Sequence, residues 1–130
     1  MSAYLFVYGT LQLARVPGEI AQVVSRLRPI GKGYANGVLY DLGEYPGAVL
    51  DPDSKSRIAG TVFQLPDDPN VLSTLDAYEE FDPDAPGTSL FIRVSHPVAL
   101  STGGTLQCWV YVYNRNPGSS PIFSGGIYNK

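Results

Sequence analysis

The sequence is short of the residues on which the commonest enzyme sites depend. Among its 130 residues there is one cysteine, Cys108, and one histidine, His96. A lone cysteine excludes an internal disulfide, and this pair cannot supply the usual ligands of a zinc site. A serine–histidine–acid triad would have to use His96, yet the chain has no Gly-x-Ser-x-Gly turn, phosphate loop or dinucleotide fingerprint. Common metal and nucleotide chemistries are therefore disfavoured, and we expect no cofactor.

Charge of one sign and long apolar runs are also scarce. Nine Lys and Arg face twelve Asp and Glu, giving a net charge of −3 without a run of one sign. We therefore expect no nucleic-acid partner and no attraction to anionic lipid. The first apolar run, residues 3–7, is too short for a signal peptide or a membrane span. With a single cysteine, this favours a cytoplasmic location without a membrane partner. The oligomeric state stays open.

The composition that remains is typical of a globular protein rich in strands. Apolar residues make up 44% of the chain and charged residues 16%. At this length, residues 1–130 are expected to form a single domain. The 14 glycines and 11 prolines indicate many short strands joined by tight turns.

The pattern along the chain predicts about six strands and two helices. Apolar residues at helical spacing predict a helix over 17–27. Asp68 and Pro69 suit the start of a second helix, which runs through Tyr78. The expected strands cover residues 3–8, 37–42, 48–51, 57–65, 90–100 and 106–114. We expect an α+β domain, and closure of its sheet into a barrel would remove the exposed edges.

A carboxylate lies at the rim of the apolar face of the second predicted helix. Glu79 is i+4 from Leu75 and i+7 from Leu72, whereas Glu80 points to the far side. Glu79 either turns out to water at the helix end or is held inward. If it is held inward, desolvation raises its pKa and makes it a proton acceptor and donor near neutral pH.

A second candidate site is the segment 8–11, where the first predicted strand stops. Glycine at position 9 permits unusual dihedral angles, and the amides that follow a strand end can point together at an anion. Strand–glycine turns also occur without a ligand, so both interpretations stay open.

The last predicted strand presents an aromatic face. Its members are Gln107, Trp109, Tyr111 and Tyr113. We interpret Trp109 and Tyr111 as core residues. Tyr113, near the strand end, either packs in the same way or donates its hydroxyl group into a cavity.

Other side chains have a structural and a functional interpretation. Tyr8 either lines the floor of a cavity or packs, and residues 45–47 form a turn that also edges a pocket in the functional interpretation. Arg93 is either solvated or the partner of a carboxylate. His96 and Cys108 each share a strand face with apolar residues, so we predict that both pack in the core.

Several of these segments, taken in order, resemble the gamma-glutamylcyclotransferase-like family, which includes gamma-glutamylaminecyclotransferases and plant avirulence-induced proteins. Each motif is unspecific, but their order and spacing extend over nearly the whole chain. The similar segments are residues 7–11, 45–47 and 75–79, Phe91 with Arg93, residues 109–114, and the ending near Ser124-Gly125.

The resemblance implies a mixed β-barrel with flanking helices. It also implies that the main-chain amides of Tyr8, Gly9, Thr10 and Leu11 hold a γ-glutamyl group, and that Glu79 is the catalytic acid–base. The implied reaction is attack of the substrate's α-amine on its own γ-amide carbonyl, which releases 5-oxoproline and an amine or amino acid without a metal or nucleotide. The implied partner is a small γ-glutamyl amine or peptide.

The chain also departs from the family's pattern. Glu80 stands where the family often has glycine, and Phe91 lacks the hydroxyl group of the usual tyrosine. These changes bear on the identity of the substrate more than on the fold. Two alternatives stay open: a non-catalytic small-molecule-binding module, and an enzyme that removes a γ-glutamyl group from a larger metabolite. With the cyclotransferase interpretation, Tyr45 and Tyr113 are predicted to contribute to substrate binding.

Overall fold

The computed structural model describes residues 3–8, 21–43 and 46–127. These residues form six β-strands, two α-helices and two single turns of 3-10 helix. In chain order the main elements are β1 (Ala3–Val7), α1 (Ala21–Val24), β2 (Arg28–Asp41), β3 (Pro46–Leu50), β4 (Arg57–Leu65), α2 (Pro69–Tyr78), β5 (Phe91–Leu100) and β6 (Thr105–Tyr113).

Five of these strands close into a mixed barrel. The strand order is β3-β2-β4-β1-β6-β5, and an additional pairing of β2 with β5 closes the ring. The closing pairs are Gly33 with Leu100 and Tyr34 with Ala99. Strands β1 and β6 run parallel, whereas the other recorded pairings are antiparallel. The predicted α+β barrel with two flanking helices is confirmed, with β3 extending from β2 outside the ring.

A pair of glycines allows close packing at the barrel wall. Gly33 on β2 lies opposite Gly60 on β4. A Cβ atom at Gly60 would overlap the carbonyl oxygen of Val7 and approach the Phe6 ring to 2.8 Å. Glycine at position 60 therefore allows β1 to approach β4 closely.

Two apolar cores lie on opposite sides of the barrel wall. Along β1, Phe6 and Tyr8 belong to the barrel interior, while Leu5 and Val7 belong to the core beneath the helices. Successive side chains of a strand point to opposite faces, so β1 contributes to both cores. Strand β1 is central, between β4 and β6.

Helix α2 begins where its capping signals predicted. The Asp68 side chain accepts a hydrogen bond from the N–H of Asn70 at 2.9 Å, and Pro69 occupies the first turn. The buried residues Val71 and Leu75 dock this helix on the barrel. In the described part of the chain, no helix is both long enough and apolar enough to span a membrane.

Three predicted elements differ from the structure by two residues or more. The strand predicted over 48–51 spans Pro46–Leu50, so Pro46 and Gly47, predicted as part of a turn, pair with β2 instead. Strand β2 begins at Arg28, so the strand predicted over 37–42 was too short. Residues 28–36 lack strong apolar alternation in sequence, and pairing with β4 makes them a strand. Of the helix predicted over 17–27, the described residues form helix only at Ala21–Val24, and residues 17–20 lie outside them.

Candidate active site

Glu79 immediately follows the last residue of α2, Tyr78, and is held partly inward. Its main-chain N–H donates to the carbonyl oxygen of Leu75 at 2.9 Å, which fixes it as the helix C-cap. Its side chain is half-buried. Burial, and to a lesser degree the negative charge of Glu80, raises its pKa from 4.5 to about 7. Of the two interpretations of Glu79 left open by the sequence, the structure favours the inward-held carboxyl group.

The turn after Glu79 is a Schellman motif with an unusual residue in it. The N–H of Phe81 donates to the carbonyl of Asp76 at 2.8 Å, and the N–H of Glu80 donates to the carbonyl of Ala77 at 3.2 Å. Glu80 takes the left-handed conformation, with φ of 57°. This conformation favours glycine, because a Cβ atom crowds the following carbonyl. The motif fixes the direction in which the chain leaves Glu79.

Tyr8, which immediately follows β1, is close enough to Glu79 for the two side chains to interact electrostatically. It is buried, and its hydroxyl group donates to the main-chain carbonyl of Tyr111. Its pKa is raised mainly by burial and also by the charge of Glu79, while the main chain of Ala48 acts in the opposite direction. The phenol is therefore neutral at physiological pH, and strands β1, β3 and β6 meet around it.

Tyr113 lies beside the start of β3. Its ring packs against Phe91, with centroids 5.7 Å apart. A Cβ atom at Gly47 would come within 3.1 Å of Tyr113, so glycine allows the close approach of β3 to β6. Tyr113 is half-buried. The structure thus places Tyr113 against β3, and its predicted contact with substrate stays a prediction.

Four predicted substrate-binding residues lie outside the described residues. They are Gly9, Thr10, Leu11 and Tyr45. Tyr8 immediately precedes the first three, and Pro46 of β3 immediately follows Tyr45. Their roles in the predicted cradle stay predictions.

A buried ionic network that the sequence did not predict lies one helical turn before Glu79. Asp76, 4% exposed, accepts from Arg93 through two bonds, Nε to Oδ1 at 2.8 Å and Nη2 to Oδ2 at 3.2 Å. The hydroxyl group of Tyr111 donates to Asp76 Oδ1 at 2.6 Å. Of the two interpretations of Arg93, pairing with a carboxylate is correct. The signal in the sequence was an aspartate beside the apolar stripe of α2, where an unpaired charge would be costly.

Aromatic rings enclose the guanidinium group of this network. Its carbon lies 4.4 Å from the ring centroid of Trp109 and 5.9 Å from that of Phe81. Tyr111 is buried as predicted, but its hydroxyl group has a partner. Trp109 is half-buried and packs at the border of the helix-side core. The face predicted to be an aromatic core is therefore partly ionic.

The lone histidine and cysteine pack in the structure as predicted. His96 is buried, and burial lowers its pKa. Cys108 is 1% exposed in the barrel interior, and burial raises its pKa to about 11. A thiol with such a pKa is a poor nucleophile near neutral pH. Among residues 3–8, 21–43 and 46–127, no three or more His, Cys, Asp or Glu side chains are arranged to hold a metal ion.

The fold and these geometries define a small mixed-barrel protein with one candidate acid–base group, placed at a helix end against the barrel. Comparison with known proteins identifies the family. Residues 5–130 match the family described as gamma-glutamyl cyclotransferase, AIG2-like, and the chain belongs to this family.

Individual relatives agree with this family. The chain is 33% identical over 113 residues to gamma-L-glutamyl-butirosin B gamma-glutamyl cyclotransferase of Niallia circulans, covering 86% of this chain and 67% of that protein. An AIG2-like protein of Mus musculus has the same fold, with a TM-score of 0.75 at 23% identity over 98% of this chain and 88% of the other. YkqA of Bacillus subtilis matches with a TM-score of 0.70 at 19% identity. The match covers 98% of this chain but 40% of YkqA.

Proposed function

We propose that this protein is a gamma-glutamyl cyclotransferase that uses Glu79 as its single acid–base group. The observation that carries the proposal is the environment of Glu79, a half-buried carboxyl group whose pKa is raised to about 7. Membership of the family and the cyclotransferase relative support an activity of this type. A carboxyl group with such a pKa has a substantial population of both protonation states at neutral pH.

The proposed reaction is an intramolecular aminolysis. Glu79 as carboxylate takes a proton from the substrate's α-ammonium group, and the free amine attacks the γ-amide carbonyl carbon. The C–N bond that closes the five-membered ring forms, and the bond to the leaving nitrogen breaks after Glu79 returns the proton to that nitrogen. The ring nitrogen loses its second proton to the departing amine, so the products are 5-oxoproline and an ammonium ion. Nothing is oxidised or reduced, and one carboxyl group balances both proton steps.

Positioning supplies the rest of the rate enhancement. In this proposal the main-chain amides of residues 8–11 hold the glutamyl portion, so that the amine lies near its own γ-carbonyl. The hydroxyl proton of Tyr8 is engaged with the carbonyl of Tyr111. We therefore assign Tyr8 to the floor of the site rather than to proton transfer. Tyr45 and Tyr113 are assigned to the rim, where β3 meets β6.

The substrate class is a small γ-glutamyl amine or peptide. The named substrate of the Niallia circulans relative is a γ-glutamyl group on butirosin B. This relative supports including a γ-glutamyl group on a larger amine-bearing metabolite among the candidates. Glu80 and Phe91 are the positions at which this chain departs from the family's usual residues, so we assign differences in the preferred amine to their surroundings.

A 5-oxoproline release assay tests the proposal. The wild type, Glu79→Gln and Glu80→Gln are each incubated with γ-glutamyl dipeptides, glutathione, γ-glutamyl-ε-lysine and a γ-glutamyl aminoglycoside. We expect release by the wild type and by Glu80→Gln, but not by a folded Glu79→Gln. The neighbouring Glu80 is the matched control because it undergoes the same change one residue away. Turnover by Glu79→Gln would refute the role of Glu79. Thermal stabilisation by these compounds without product would instead favour a binding module.

A further inference from the structure

Asp76 is held by hydrogen bonds to side chains from two different strands. It lies three residues before Glu79 on α2 and bonds both β5, through Arg93, and β6, through Tyr111. Its charge is buried, with the Asp76 side chain 6% and the Arg93 side chain 16% exposed. A buried ion pair is often no more stabilising than apolar residues of the same volume, because desolvation offsets the attraction. Its geometry, rather than its energy, therefore calls for an explanation.

The network connects both sides of the candidate site. The main-chain carbonyl of Tyr111 accepts a hydrogen bond from the Tyr8 hydroxyl group. The hydroxyl group of Tyr111 donates a hydrogen bond to Asp76. One residue of β6 thus fixes the phenol at the end of β1 and the helix turn that carries Glu79. Displacing Tyr111 would alter the distance between these two groups.

The same aspartate also fixes the chain after Glu79. The main-chain carbonyl of Asp76 accepts the N–H of Phe81, which closes the Schellman turn. The ring of Phe81 in turn lies against the guanidinium group of Arg93. Glu79 therefore lies between two residues that both contact Arg93, Asp76 through hydrogen bonds and Phe81 through its ring.

We propose that Tyr111 and Arg93 are positioning residues, which act through Asp76 to hold the Glu79 carboxyl group inward at the end of the barrel. The proposal rests on the proposed function in so far as Glu79 is the acid–base group, but the position of that group is measurable without turnover. If the network only stabilised the fold, its loss would lower the free energy of unfolding. The position of Glu79 in the folded protein would then stay the same.

Two variants that keep every formal charge test this position. Tyr111→Phe removes one hydroxyl group and keeps the ring, so the fold has the same volume to fill. Arg93→Lys keeps the positive charge and loses the fork that binds both oxygens of Asp76. The groups around Glu79 that bear charge or titrate are Glu80 at the helix end, Tyr8 on β1, Arg93 on β5, Tyr111 on β6 and Asp76 on α2. Because neither variant alters a charge among them, a changed titration of Glu79 reports its position.

The primary measurement is the 13Cδ NMR titration of Glu79. The chain has four glutamates, so the signals are few, and Glu79→Gln assigns the relevant one. We expect a midpoint of about 7 in the wild type. In both variants the carboxyl group gains water, so we expect the midpoint to fall by about one pH unit or more.

Kinetics provide the second measurement. Misplacement of the acid–base group should lower kcat by about 10- to 100-fold in Tyr111→Phe. KM should stay within about twofold, because the glutamyl group is held elsewhere in the proposed site. A variant that is only less stable, assayed well below its Tm, would keep its kcat.

Arg26→Lys is the matched control. Arg26 pairs with Asp68 at 2.8 Å, at the opposite end of the same helix, and undergoes the same substitution. We expect its Glu79 midpoint and kcat to match the wild type. Wild-type midpoints in both folded test variants, Tyr111→Phe and Arg93→Lys, would overturn the proposal. A wild type that titrates as expected but releases no 5-oxoproline would refute the proposed function and leave the positioning result intact.

Discussion

Replacing Glu79 with glutamine should change how the stability of the protein depends on pH. Folding moves the Glu79 carboxyl group from water, where its pKa is 4.5, to a half-buried position where its pKa is about 7. Between these values the folded state binds more protons than the unfolded state. Stability is therefore full below about pH 4.5 and is lost as pH rises through 7. Glutamine has the same shape and no charge, so the variant lacks this dependence.

The magnitude follows from the two pKa values. Their difference, about 2.5, corresponds to about 3 kcal/mol of unfolding free energy. Above pH 8, Glu79→Gln should therefore be more stable than the wild type by about 3 kcal/mol, equivalent to roughly 10 °C in Tm for a domain of this size. At pH 4 the two proteins should differ little, because the wild-type carboxyl group is then protonated in both states.

Urea unfolding followed by tryptophan fluorescence at pH values from 4 to 8.5 measures this difference. Asp67→Asn is the control, since it neutralises an exposed carboxylate and should keep the wild-type slope. Parallel stability curves for the wild type and Glu79→Gln would refute the burial of the charge. A Glu79→Gln protein that is less stable at high pH would refute it more strongly.

Two further predictions concern backbone conformation. Glu80→Gly should be more stable than Glu80→Ala by about 1 kcal/mol in urea unfolding, because both remove the charge but only glycine relieves the left-handed conformation. In both variants the pKa of Glu79 should fall, because the negative charge of Glu80 is removed. A pH profile of kcat/KM whose acid limb has the same midpoint as in the wild type would contradict this. Gly126→Ala should destabilise more than Gly118→Ala. Both positions have positive φ, but a Cβ atom at Gly126 would overlap the carbonyl of Arg57, whereas nothing lies within 4 Å at Gly118; equal losses of stability would contradict the overlap.

Local signals in the sequence predicted much of the fold and the position of Glu79. The start of α2 followed from Asp68 and Pro69, since capping depends on residues next to one another in the chain. The bounds of β4, Arg57–Leu65, followed from its apolar run. Helical spacing placed Glu79 at the edge of a buried stripe. Its raised pKa agrees with that placement, while its catalytic role stays a prediction.

Pairings between distant segments could not be predicted from the sequence. Arg93 and Asp76 are 17 positions apart on different elements, so no periodicity relates them. The first half of β2 is a strand because β4 lies beside it, not because its own residues favour one. The left-handed conformation of Glu80 had one signal, the glycine that the family often has at this position.

The parallel pairing of β1 with β6 has a consequence for how the molecule is made. Tyr8 and the carbonyl it bonds are 103 positions apart in the chain. During synthesis on a ribosome, β1 emerges before β6. The edge of β1 that pairs with β6 therefore stays unpaired until β6 has also been synthesised. Contacts of such long range close slowly, so folding should be slower than in helical domains of similar size. The candidate site is therefore assembled last, when β6 adds the residue that connects Tyr8 to the helix bearing Glu79.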